Sequence, residues 1–159
     1  MDNRPYPDGF DVTWLASDRE GNVAVLITAG WGPMPSEVLK GCYIPVDEIE
    51  RMLYEEMPKL TQAHLLESIK TNSFIELAER GVFVYDWTDS HKTTYEQSYV
   101  YKKVAFPVLP IEVDALPHGL AVLAKNVKLS HVVFSTDMTV DIYGQTEFSI
   151  VSGREGGWG

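Results

Sequence analysis

Val23-Ala24-Val25-Leu26-Ile27 is a run of five apolar residues with no polar alternation. Successive side chains of a strand point to opposite faces, so such a run has no face suited to water. It predicts a strand covered on both sides, and therefore a sheet with material packed on each face. Val12 to Ala16, just upstream, is also apolar and carries Trp14. Between the two runs, Asp18-Arg19-Glu20-Gly21-Asn22 supplies turn chemistry, with Gly21 and Asn22 both tolerant of positive φ. A hairpin with a five-residue connection is expected.

Downstream, Val46, Ile49, Leu53, Met57 and Leu60 recur at helical spacing, opposite Asp47, Glu48, Glu50, Arg51 and Glu55. Pro45 just inside the start and Pro58 near the end bound that helix. A second helix is expected from Thr61, with Leu65, Leu66 and Ile69 inward. Ser73 and Glu76 have capping-box spacing, so a further helix runs through Ile75, Leu77 and Ala78 to a stop at Gly81. Val82 to Thr88 reads as a strand with Phe83, Tyr85 and Trp87 on one face. Asp89-Ser90-His91-Lys92 is a turn, and Tyr95 to Phe106 a long strand. Leu116 to Ala124 reads as a short helix. Val132 to Ser135 and Met138 to Tyr143 suggest a second hairpin, and Thr146 to Val151 an edge strand. The fold class is α+β: a largely antiparallel sheet with two or three helices packed on one side, in a single domain over 1–152 with a flexible tail over 153–159.

The 159 residues are enough to bury a sizeable core, and a hydrophobic fraction of 45% suits a globular chain. Cys42, the single cysteine, permits no intrachain disulfide and fits a reducing compartment. The opening Met1-Asp2-Asn3-Arg4-Pro5-Tyr6-Pro7 lacks the apolar core of a signal peptide, and no stretch is long and apolar enough to span a bilayer. A cytoplasmic protein is expected. Its net charge of −10 repels nucleic acid and anionic membranes, so neither is expected as a partner.

The Gly30-Trp31-Gly32-Pro33 loop invites comparison with a phosphate cradle. Pro33 and Pro35 remove two N–H donors and no Lys-Ser/Thr pair comes after them, so a rigid loop that tucks in or displays Trp31 is the better reading. His64, His91, His118 and His131 lack metal-pair spacing, and Cys42 has no CxxC partner. No metal, cofactor or catalytic residue is assigned. The densest charge lies on the polar face of the Asp47 to Glu56 helix, either a solvated surface or a patch that meets a basic partner. Trp31, Asp47, Glu48, Tyr54 and Glu55 are the candidate partner-binding residues, two aromatic anchors beside three carboxylates.

Two stretches resemble a known group. "WLASDREGNVAVLITAGWGPMP" is similar to the opening of immunity-type proteins of bacterial polymorphic toxin systems, and "LPHGLAVLAKNVKLSHVVFS" to their closing helix and strand. Trp14, Asp18, Gly21, Val23, Ala24, Gly30, Gly32, Pro33, Pro35, Leu116 and Pro117 carry the match, and Leu26 departs from an expected aromatic. The resemblance covers about a third of the chain. It implies a non-enzymatic binding protein that neutralises a cognate toxin, which is of basic character if charge guides the encounter. Two alternatives stay open. One is a small enzyme or ligand-binding domain with a cleft lined by Tyr85, Trp87 and carboxylates; the other is a homo-oligomer that pairs through the Tyr95 to Phe106 strand.

Overall fold

A computed structural model of the chain describes residues 3–66, 73–87 and 100–153. In chain order the strands and helices are β1 (Thr13–Asp18), β2 (Val23–Ile27), β3 (Met34–Pro35), α1 (Val46–Glu56), β4 (Ala63–Leu65) and α2 (Ser73–Ala78). They continue with β5 (Phe83–Trp87), β6 (Tyr101–Pro107), α3 (His118–Asn126), β7 (Lys128–Leu129), β8 (Thr139–Val140) and β9 (Ile150–Val151). The main sheet has the order β4-β6-β5-β2-β1-β7, with β8 also on β6, while β3 and β9 form a second, two-stranded sheet. Most pairings are antiparallel; β2 with β5 and β1 with β7 are parallel. The class is α+β.

β1 and β2 form the expected hairpin, with Thr13 opposite Ile27 and Ser17 opposite Val23. Asp18 both ends the strand and opens the turn, its carbonyl accepting the Gly21 N–H at 3.2 Å, and Gly21 alone in the turn takes positive φ, +86°. Every residue of β2 is buried, as its unbroken apolar run requires. One face of the hairpin meets helices: Thr13 Oγ1 donates to Glu50 of α1, and Ser17 Oγ donates to the Ala124 carbonyl of α3 at 2.7 Å. An even number of residues apart on one strand, Thr13 and Ser17 share a face, so α1 and α3 lie on the same side. α2 packs against β4, β5 and β6.

The opposite face is aromatic. Trp14, Leu26, Tyr85 and Lys103 stand in one register line across four strands. Trp14 Nε1 donates to the Tyr101 hydroxyl at 3.1 Å, and that hydroxyl donates to the Pro33 carbonyl at 2.8 Å. Irregular chain between β7 and β8 covers the rest, with the Phe134 and Tyr85 ring centroids 5.6 Å apart. Lys103 is buried here, its ammonium 5.3 Å from the Phe83 ring centroid, and desolvation lowers its pKa.

Several expectations need correction. Residues 63–65 are a strand, not the start of a helix, because β6 offers a partner: Leu66 N–H donates to the Val104 carbonyl and Val108 N–H to that of Gln62. A short apolar segment is compatible with either state, and the neighbouring strand decides. The second hairpin does not form. Instead Asp137 turns the chain, accepting the Val133 N–H, and β8 pairs with β6. Residues 150–151 pair with β3 and not with the main sheet edge. Tyr85 and Trp87 are core rings, so they line no open cleft. Within residues 101–107, β6 is flanked by β5 on one side and by β4 and β8 on the other, so it offers no free edge there. Ile69, Thr88, the Asp89 to Lys92 turn, Tyr95 to Tyr99 and the tail from Arg154 lie outside the described residues. Among the described residues, no helix is long and apolar enough to cross a membrane.

Candidate functional site

The loop after β2 spends its amides on itself. Gly30 N–H donates to Thr28 Oγ1, and the N–H groups of Trp31 and Gly32 both donate to the Thr28 carbonyl. Donors engaged in this way cannot serve a phosphate. Gly30 takes φ +101°, and a Cβ on Gly32 would stand 2.6 Å from the Tyr101 hydroxyl and 3.0 Å from Trp87 Cγ. Gly32→Ala is therefore expected to cost about 2 kcal/mol through overpacking, read as a lower urea midpoint at unchanged slope. An unchanged midpoint would mean that the aromatic wall yields freely. Trp31 itself is half-buried against the core, and its carbonyl accepts the Gly153 N–H at 3.2 Å.

The site begins one segment earlier. Arg4 reaches across to the chain before α1, where its guanidinium donates to the carbonyls of Lys40, Gly41 and Tyr43 at 3.2, 3.0 and 2.8 Å. Tyr6 donates its hydroxyl to the Gly32 carbonyl at 2.6 Å, and Gly9 N–H bonds the Gly30 carbonyl at 2.9 Å. Burial pushes the Tyr6 phenol well above its usual pKa, so it stays a protonated donor. Pro5 and Pro7 stiffen this strap, and Gly9 at φ +78° turns it into β1.

Between the strap, the head of β1 and the first turns of α1 lies a groove of about 550 Å³. Val12, Leu39 and Val46 give it an apolar floor, and Asp11, Asp47 and Glu50 bring carboxylates to its walls. Asp47 and Glu50 are three apart on a helix and share a face by its geometry. Thr13 Oγ1 to Glu50 Oε2, 3.4 Å, ties β1 to α1 beneath them. Asp11 accepts the Ala29 N–H at 2.9 Å. Phe10, also lining the groove, is 70% exposed, a large apolar ring held in water by a turn.

The residues assigned from sequence do not come together as one patch. Asp47 lines the groove. Glu48 and Glu55 point away on the solvent side of α1, bracketing Arg51 at 3.0 and 2.6 Å. The hydrogen bond from Arg51 lowers the Glu48 pKa and raises that of Arg51, so part of the expected acidic patch is neutralised in place. Tyr54 is half-buried, with the Arg80 guanidinium 4.6 Å from its ring centroid. Burial first, then Glu50 nearby, raises its phenol pKa. Trp31 does not line the groove. Phe10 and Asp11 escaped sequence reasoning, and Glu50 was read only as part of the polar face of its helix; Pro7-Asp8-Gly9, a turn signature just ahead of Phe10, was the signal at hand.

Asp137 and Asp141, acidic neighbours in sequence, each accept a local backbone N–H, from Val133 and Gly144. Cys42 is exposed in the loop before α1. Among the described residues no group of three or more His, Cys, Asp or Glu side chains is placed to hold a metal ion. Comparison of the chain with family models, curated proteins and solved structures gives no match in any of the three.

Proposed function

We propose that this is a non-enzymatic binding protein of the cytoplasm that neutralises a cognate, basic bacterial toxin by covering it sterically and electrostatically. The observation that carries the binding reading is the groove: an apolar floor, three carboxylates and the projecting Phe10 ring in one place. An exposed aromatic beside a concave apolar surface is the arrangement that anchors protein interfaces. A net charge of −10 adds long-range attraction for a basic partner and speeds encounter. The toxin as partner rests on the sequence resemblance alone.

The test is co-expression with the products of neighbouring genes. A product that arrests growth alone, is tolerated with this protein, and co-purifies with it in a 1:1 complex is the expected result. Toxic neighbours that this chain neither binds nor neutralises would overturn the reading. A second reading, a small-ligand domain, draws on the groove volume, which falls in the range of ligand pockets. A thermal-shift screen of small molecules checks it, and stabilisation by one of them is the expected sign.

A further inference from the structure

We propose that the groove between the N-terminal strap and α1 receives an Arg or Lys side chain from the partner chain, its stem on the apolar floor and its cationic head among Asp11, Asp47 and Glu50. This rests on the binding reading above and specifies what is bound. The lining holds three carboxylates against one guanidinium, that of Arg4, which is already engaged by three carbonyls. An apolar occupant would take those carboxylates out of water with no counter-charge, which is costly. A long cationic side chain satisfies both parts, because its methylene stem packs on apolar surface while its head stays polar. The groove, about 550 Å³, is roomier than one side chain needs, so flanking residues of a partner segment fit beside it. That favours a cation borne on a chain over a free amine.

Asp47 is exposed at the head of α1, and Glu50 only accepts a long hydroxyl bond, so neutral amides at both positions leave the fold intact. The experiment tracks backbone amide shifts of the full chain titrated with acetyl-Gly-Arg-Gly-amide, its norleucine counterpart and n-butylammonium. The arginine peptide is expected to give saturable shifts centred on Phe10, Asp11, Thr13, Asp47 and Glu50, and the other two probes little. Asp47→Asn with Glu50→Gln should weaken it at least tenfold. Glu48→Gln with Glu55→Gln, the same charge change on the outer face of α1, should alter it less than twofold.

Shifts scattered over the acidic surface, or equal weakening by both double variants, would overturn the proposal. Equal binding of butylammonium would overturn the partner-chain source. A toxin still held tightly by the Asp47→Asn/Glu50→Gln protein would overturn the groove while leaving the binding function standing. Seating of the arginine peptide in a protein that protects against no toxin would do the reverse.

Discussion

Replacing Asp18 by Ala is expected to cost about 3 kcal/mol, the loss of a charged acceptor that buried donors rely on. Asp18 is fully buried at the end of β1. One carboxylate oxygen accepts the N–H groups of Glu20 and Asn22, both at 2.9 Å, and so shapes the hairpin turn. The other accepts the Phe134 N–H at 2.7 Å, tying the turn to the irregular chain that covers the aromatic face. One side chain thus joins segments 116 residues apart. Alanine leaves the buried Phe134 amide unpaired and frees the cover it holds. Asn is expected to do less harm, because its carbonyl can still accept one set of N–H groups, but not to restore the wild type, because its NH2 is a donor set against the other. Urea unfolding measures both. A loss below about 1 kcal/mol for Asp18→Ala would mean that water replaces the carboxylate freely.

Raising the pH above about 10 should unfold the protein steeply, because Tyr85 and Tyr101 are buried as phenols. Desolvation raises both pKa values well above that of an exposed tyrosine, with Asp137 and Asp18 adding to the effect at Tyr85. The folded pKa is raised, so the stabilisation is fully present below the unfolded value and is lost as the pH climbs past it. There the unfolded chain releases protons that the folded chain retains. Two such groups give a fall of about 2.7 kcal/mol per pH unit. Lys103, whose pKa is lowered by desolvation, acts oppositely, but only below its unfolded value near 10.4. Tyr6, whose phenol is also raised mainly by burial, adds to the fall. Urea midpoints at about pH 9, 10, 10.5 and 11 should fall with this slope, and Tyr85→Phe should remove about half of it. A midpoint unchanged to about pH 11 would show that the phenols ionise in place.

Local pattern determined a good deal. The unbroken Val23 to Ile27 run made β2 a central strand because period-two geometry leaves no alternative face for water. The helical spacing of Val46, Ile49 and Leu53 placed α1, which stops at Glu56 ahead of Pro58; Met57 is already extended and Leu60, read on the same helical face, lies beyond the helix and is exposed. Gly81, at φ +96°, stops the chain after α2 as a glycine there should. The prolines after Gly32 argued against an anion loop from sequence, and in the structure the amides of Gly30, Trp31 and Gly32 donate inward to Thr28.

What sequence could not supply was long-range partnership. Ala63 to Leu65 became a strand because β6 needed a neighbour, and nothing within that segment encodes β6. The parallel pairing of β2 with β5 joins residues separated by two helices, a register that no local period specifies. Phe134 left a hairpin pattern to cover Tyr85 because Asp18 holds its amide from the far end of the chain. The groove belongs to the same class. Arg4 fixes the strap to the chain before α1, bringing Phe10 and Asp11 opposite Asp47 and Glu50, so the site exists only where two distant segments meet. Side-chain periodicity reports which face of one element avoids water; it carries no information about which other element will cover that face, and here that choice made the candidate site.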